Sequence, residues 1–168
     1  ATKTRRRWLE EGSNEREMVY LNMSRLTEGT PLYEGTLAHE MQHLIQWSLD
    51  ANEDAWLNEG LSQVAETLVG LDTVDATYYR EQPYIRLDSW SDAAPDVDAH
   101  YAGSYLYVLY LWEQAGDAAL SELARQPANG LAAVRLVLAG HRPELSWEDV
   151  TADWAAAVAL NDRSAGAR

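Results

Sequence analysis

The 168-residue chain contains no cysteine and no phenylalanine. Without cysteine there is no disulfide bond, no thiolate metal ligand and no cysteine nucleophile, so any metal site must use histidine and carboxylate. Basic residues are also scarce, since 13 lysines and arginines face 27 aspartates and glutamates, for a net charge of −14. A charge of this sign repels nucleic acid and anionic membrane surfaces, so neither is an expected partner.

Long apolar runs are absent as well. The longest unbroken apolar or aromatic stretch, residues 105–112, is far shorter than the roughly 18 to 20 residues that cross a bilayer, so no membrane insertion is expected. Apolar residues nevertheless make up 46% of the chain, with seven tryptophans and nine tyrosines for a core. This composition is typical of one globular domain.

We expect a flexible segment over residues 1–16, one domain over residues 17–162 and a flexible tail over residues 163–168. The arginines at residues 5–7 are followed by no apolar run, so this start is not an intact secretory signal. The sequence is therefore expected to be a mature or partial chain.

Local patterns predict an α+β fold that is predominantly α-helical. Residues 18–23 have the apolar, β-rich composition of a strand and predict a small N-terminal sheet. Thr30 and Pro31 predict a helix start, and the helix is expected over 31–49. Its apolar residues form a stripe predicted to face a core: Leu37, Met41, Leu44 and Ile45. Further helices are predicted over 56–69, 73–80, 99–114, 117–125, 129–139 and 146–160.

An H-E-x-x-H motif lies on the first predicted helix, at residues 39–43. His39 and His43 are four residues apart, so both rings leave the same face of the helix and can bind one zinc ion. Both are expected on the side opposite the apolar stripe. Glu40 lies beside them, where its carboxylate can act as the general base toward zinc-bound water.

A catalytic zinc site needs a third protein ligand. Glu59 is the best candidate, because it lies 16 residues after His43 on a helix predicted to return past the first. The adjacent Gly60 would let the backbone of that helix approach another element closely. The sequence thus predicts one catalytic zinc ion held by His39, His43 and Glu59.

The stretch at residues 56–66, WLNEGLSQVAE, resembles the W-L-N-E-G-F-A-x-x-x-E stretch of aminopeptidase-like gluzincins. These are zinc metallopeptidases in which a glutamate on the next helix completes H-E-x-x-H. The resemblance implies a zincin-like catalytic domain in which Glu59 is the third ligand. It also implies that Glu66 and Asn58 contact the metal ligands without binding the metal themselves.

Two departures from those aminopeptidases bear on the activity. Only 15 residues separate His43 from Glu59, fewer than in the aminopeptidases. The sequence of residues 36–66 is more similar to secreted bacterial gluzincins of the hyicolysin group. That similarity implies a secreted protein. Aminopeptidases also carry a G-x-M-E-N element for the substrate's free amine, and none precedes His39. We therefore expect an endopeptidase acting on extended polypeptides, with residues 18–23 offering a strand edge to the substrate.

Peptide hydrolysis also needs a donor that stabilises the oxyanion. The resemblance implies a tyrosine or histidine on a later helix, and Tyr101 is the first candidate there, with His100 the second. Tyr101 could equally be a core aromatic residue, and Glu66 could be a solvated helix residue.

Other functions remain open from the sequence. The chain could be a zinc-containing binding or adhesion module with little or no turnover, although a purely structural zinc would not need Glu40. It could also be an aminopeptidase. Residues 50–54 resemble the opening of a calcium loop, but Ala55 stands where such a loop needs glycine, so Ca²⁺ is the weaker cofactor hypothesis.

Overall fold

The computed structural model describes residues 18–71, 74–90 and 96–160. Helix accounts for 67% of these residues, and none of them lies in a strand. In chain order the helices are α1 (Pro31–Leu49), α2 (Ala55–Leu68), α3 (Thr77–Glu81), α4 (Val97–Leu123), α5 (Gly130–His141) and α6 (Trp147–Leu160). Over its described ranges the fold is all-α, so the predicted α+β fold with an N-terminal sheet is wrong. The segments predicted to be flexible, 1–16 and 163–168, lie outside these ranges.

Residues 18–23 are the predicted strand, and the structure shows an irregular segment with turns there instead. Its backbone bonds locally, from the Met23 N–H to the Leu21 carbonyl at 3.1 Å, and the Asn22 side chain accepts the Ser24 N–H at 3.1 Å. Tyr20 is 75% exposed. A strand needs a neighbouring strand to satisfy its backbone groups, and short-range bonds of the Asn22 type compete with that pairing.

The helix boundaries predicted from capping residues are confirmed within a few residues. At the start of α1, the Thr30 hydroxyl accepts the Tyr33 N–H at 3.3 Å, with Pro31 as the first helical residue. The Ser146 hydroxyl likewise accepts the Asp149 N–H at 3.1 Å before α6. The break predicted at Gly116 is confirmed, because its φ of 81° and ψ of 178° are non-helical and divide α4 into two helical parts. The remaining predicted helices correspond to α2, α3 and α5.

Helix α4 is the centre of the core, and α2, α3, α5 and α6 all pack against it. Its aromatic and aliphatic residues meet Trp56 and Leu57 of α2 and Trp154 of α6, all of which are almost fully buried. The Trp56 and Tyr107 rings meet edge to face, with centroids 5.7 Å apart. No helix in the described ranges is both long enough and apolar enough to cross a membrane.

The apolar stripe of α1 does not face this core. Met41 is 50% exposed and Ile45 is 48% exposed, so the predicted burial of the stripe is wrong. Helix α1 instead packs on α2 through its polar side, which carries His39, His43 and the buried Gln46. Hydrogen bonds from the two histidines to Glu66, Asn58 and Ser62 of α2 join the helices at this contact.

Candidate metal centre

The two histidines of the H-E-x-x-H motif lie on consecutive turns of α1. Their rings meet edge to face, with centroids 4.7 Å apart, and the Nε2 atoms of His39 and His43 are 3.1 Å apart. Both side chains are partly buried against α2. The helix therefore presents two imidazole nitrogens at one point of the α1–α2 interface.

Helix α2 brings Glu59 to the same point. Its Oε2 atom lies 3.3 Å from His39 Nε2 and 3.4 Å from His43 Nε2. The adjacent Gly60 sets this position, because a Cβ atom there would stand 2.6 Å from Val108 Cγ2 of α4. The close backbone approach expected at Gly60 is confirmed, and the core behind α2 thereby fixes the depth at which Glu59 meets α1.

The outer nitrogen of each imidazole is held by a residue of α2. His39 Nδ1 lies 3.0 Å from Glu66 Oε1, and Glu66 is 6% exposed. His43 Nδ1 lies 3.0 Å from Asn58 Oδ1 and 3.1 Å from Ser62 Oγ. With Nδ1 engaged in this way, each ring turns Nε2 toward Glu59, which is the arrangement that supports histidine ligands in metal sites.

The charges of the group favour a bound cation. Burial by itself would lower the pKa of His39, but Glu59 and Glu66 outweigh burial and raise it to about 9. The pKa of His43 is also raised, since Glu59 and Asn58 outweigh burial. Burial would raise the pKa of Glu59, but the two imidazoles lower it to about 2. Positive charge is therefore stabilised between these three side chains.

The donor set fits a metal ion. His39, His43 and Glu59 each offer one ligand atom, and these atoms lie within 4.8 Å of one another. Glu59 Oε2 is buried, and no donor from the part of the chain that the structure describes reaches it in hydrogen-bonding geometry. Two nitrogens and one carboxylate oxygen form a set that suits zinc and leaves a fourth position for another ligand. Within the described ranges this is the one such group of three or more side chains.

The remaining predicted site residues lie on α1 and near the start of α4. Glu40 follows His39 on α1 and is half-buried. His100 and Tyr101 are near the start of α4, where both rings contact Trp90, with centroids 5.3 Å and 5.0 Å away. His100 is 4% exposed, and burial lowers its pKa against the influence of Asp96. His100 is outside the ligand group.

The acidic segment at residues 50–54 forms no ligand group of the kind found at His39, within the part of the chain that the structure describes. Glu53 Oε1 instead accepts the backbone N–H groups of Gly130, at 2.7 Å, and Asp54, at 2.6 Å. This carboxylate joins the start of α2 to the start of α5. The contacts of Glu53 are structural, and Ca²⁺ gains no support from them.

An open apolar groove of about 430 Å³ lies on another side of α1. It is lined mainly by residues of α1, α2 and the second half of α4, among them Ile45, Leu49, Leu61, Leu68 and Leu120. None of the three candidate ligands lines it. This apolar groove and the candidate metal centre are therefore separate features.

Sequence reasoning missed Ser62. The residue is fully buried, and its hydroxyl reaches both the second histidine and the Asn58 carbonyl. The signal was its position one turn after Asn58 on α2, which places both side chains on the same face. In the resembling stretch of gluzincins this position is alanine, so the resemblance did not point to it.

In comparisons with known proteins, no family model and no curated protein matches the chain.

Proposed function

We propose that this chain hydrolyses peptide bonds with a zinc ion held by His39, His43 and Glu59, and that it cuts within polypeptides. One observation carries the proposal: two imidazole Nε2 atoms and one buried carboxylate oxygen meet within 3.4 Å of one another. Glu40 follows His39 directly on α1. Resemblance to gluzincins supports the same assignment through the H-E-x-x-H motif and the stretch at 56–66.

When bound, zinc supplies a Lewis acid that polarises the scissile carbonyl and lowers the pKa of water. The chain supplies the proton transfers. Glu40 takes a proton from the attacking water and delivers a proton to the leaving amine. A structural zinc site fills its coordination with protein groups and needs no such base, so Glu40 favours an enzyme over a binding module.

The oxyanion donor in this proposal is Tyr101, with His100 as the second candidate. Both rings lie at the start of α4 against Trp90, which restricts their movement. The phenol group of a tyrosine is neutral at physiological pH and can donate a hydrogen bond. His100 is the weaker candidate because its ring is almost entirely buried.

An endopeptidase is preferred to an aminopeptidase because the G-x-M-E-N element is missing before His39. The proposed substrate is an extended or unfolded polypeptide, and we propose that cleavage takes place outside the cell, as in the secreted gluzincins the sequence resembles. The segment 18–23 does not offer a strand edge to this substrate, since it forms no strand.

The test incubates zinc-loaded protein with unfolded casein and reads all new termini by mass spectrometry. Internal cuts are expected, and they should disappear in protein treated with a chelator. Glu40→Gln should retain zinc but lose roughly 10²- to 10⁴-fold in rate, the usual contribution of a general base. Glu34→Gln is the matched control, because it removes an exposed carboxylate from the same helix.

Other outcomes assign other functions. Release of single N-terminal residues would replace the endopeptidase by an aminopeptidase. One bound zinc per chain without any cleavage would favour the binding module. Failure of the wild-type protein to bind zinc would overturn the proposal altogether.

A further inference from the structure

The second histidine has an unusual pair of partners. His43 Nδ1 contacts the Asn58 side-chain oxygen at 3.0 Å and the Ser62 hydroxyl at 3.1 Å, and both come from consecutive turns of α2. His39 Nδ1 instead contacts the carboxylate of Glu66. One candidate ligand is therefore held by an anion, and the other is held by two neutral groups.

The Ser62 hydroxyl has one proton and two possible recipients. Its Oγ atom lies 3.0 Å from the Asn58 carbonyl oxygen, to which it can donate, and 3.1 Å from His43 Nδ1. Ser62 is 0% exposed, so bulk water does not compete for this proton. The direction in which this hydroxyl donates must match the tautomer of His43.

The Asn58 side chain settles the direction. Its Oδ1 atom is only an acceptor, so at 3.0 Å it requires a proton on His43 Nδ1. A bare Nδ1 would place two lone pairs against each other at that distance. The Ser62 hydroxyl therefore donates its proton to the backbone carbonyl of Asn58. The Ser62 oxygen and the Asn58 side-chain oxygen both accept the proton on His43 Nδ1.

We infer that Ser62 is a positioning residue, which fixes His43 with its proton on Nδ1 and reserves Nε2 for a metal ion. The inference rests on the proposed function only in taking that ion to be zinc. Gluzincins resembling this chain have alanine at this position, so the second acceptor is a feature of this sequence. Ser62 acts on the metal through His43 and does not touch it.

The experiment compares Ser62→Ala with Ser104→Ala. Ser104 is equally buried, and its hydroxyl has no hydrogen-bond partner among the described residues, so this control removes the same group without touching His43. Zinc affinity is measured by competition with a chromophoric chelator. The His43 Nδ1 proton is followed by ¹⁵N-edited NMR of the zinc-loaded protein. Thermal unfolding shows whether each variant is folded.

Ser62→Ala should weaken zinc binding about tenfold, at the low end for residues that support a ligand, because Asn58 still holds the ring. Its Nδ1 proton should exchange with water faster than in wild type. Ser104→Ala should leave both quantities unchanged. Equal zinc affinity and equal proton exchange in the two variants would overturn the role of Ser62, as would a wild-type His43 without a proton on Nδ1.

Failure of this inference is distinguishable from failure of the proposed function. If wild-type protein binds no zinc, the proposed function fails, and the Nδ1 proton is then measured in metal-free protein at a pH where the ring is neutral. A proton on Nε2 instead of Nδ1 in that sample would overturn the inference by itself. If zinc binds as expected but no peptide is cut, the role of Ser62 stands and the peptidase assignment does not.

Discussion

Two glutamates of the α1–α2 region show how the surroundings of a partly buried carboxylate set its pKa. Glu59 lies between two imidazoles, which lower its pKa to about 2 despite burial. The pKa of Glu53, in contrast, is raised to about 7, mainly by burial. The N–H groups of Gly130 and Asp54 lower this pKa, and the negative charges of Asp50 and Asp54 raise it further. Glu59 therefore stays negatively charged, which suits a cation, whereas ionisation of Glu53 destabilises the folded protein.

The cost at Glu53 predicts a pH dependence of stability. Its folded pKa of about 7 is above the ordinary value of 4.5, so the folded state binds the proton more tightly than the unfolded state does. Stability associated with Glu53 is therefore present below pH 4.5 and is lost as the pH rises to about 7. Glu53→Gln stays neutral and keeps an oxygen that can accept both N–H groups.

The difference in melting temperature between Glu53→Gln and wild type should thus grow in favour of the variant from pH 4.5 to about 7 and then level off. Thermal unfolding in buffers across this range measures it. Glu113→Gln, which removes an exposed carboxylate on α4, should show no such trend. A difference that is flat or that shrinks with rising pH would contradict the role given to Glu53.

At the scale of helices, α2 joins the candidate metal centre to the core. One side of it carries Asn58, Glu59 and Ser62 toward α1, and the other side packs on α4. The contact with α4 is close at Gly60, where an added Cβ would stand 2.8 Å from the Ser104 carbonyl oxygen. Because that oxygen belongs to the backbone, the helices themselves would have to move apart.

Gly60→Ala should therefore destabilise the protein by about 1 to 3 kcal/mol, the usual range for overpacking. It should also weaken zinc binding, because the displaced α2 carries Glu59. Urea unfolding of metal-free protein and a zinc titration measure the two effects.

Gly140→Ala is the matched control, since a Cβ there would meet no described atom within 4 Å. That change should be neutral or stabilise the protein by up to about 1 kcal/mol. Equal stability of Gly60→Ala and wild type would show that the α2–α4 contact can widen freely.

At the scale of the whole molecule, the apolar core and the apolar stripe of α1 are separate. The core lies around α4, with Leu57 of α2 fully buried in it, whereas Met41 and Ile45 on α1 are about half-exposed. The half of α1 that faces the protein carries the histidines. The hydrogen bonds of His39 and His43 to α2 compensate part of the burial of polar groups at this contact.

This separation predicts unequal costs of substitution. Met41→Gln should change the free energy of unfolding by less than about 0.5 kcal/mol, as is usual for a surface position. Leu57→Ala should cost about 2 to 5 kcal/mol, because it leaves a cavity in the core. Urea unfolding in the presence of a chelator compares them. A cost at Met41 as large as that at Leu57 would show that the stripe is buried in solution.

The sequence by itself determined the features that depend on near neighbours along the chain. Thr30 and Pro31 set the start of α1 through capping and a preset φ angle, and the spacing of His39 and His43 placed both rings on one face. The choice of Glu59 as their companion also came from the sequence, through its spacing and a family resemblance. These features depend on local geometry, which the chain carries wherever the helix packs.

Tertiary structure alone decided the features that depend on a partner distant in sequence. Residues 18–23 have a composition suited to a strand, yet strands need a pairing neighbour, and these residues bond locally instead. Periodicity identified the stripe through Met41 but could not say which face of α1 meets α2. The role of Ser62 depends on its contact with His43 between two helices, so it is decided by how α1 packs on α2.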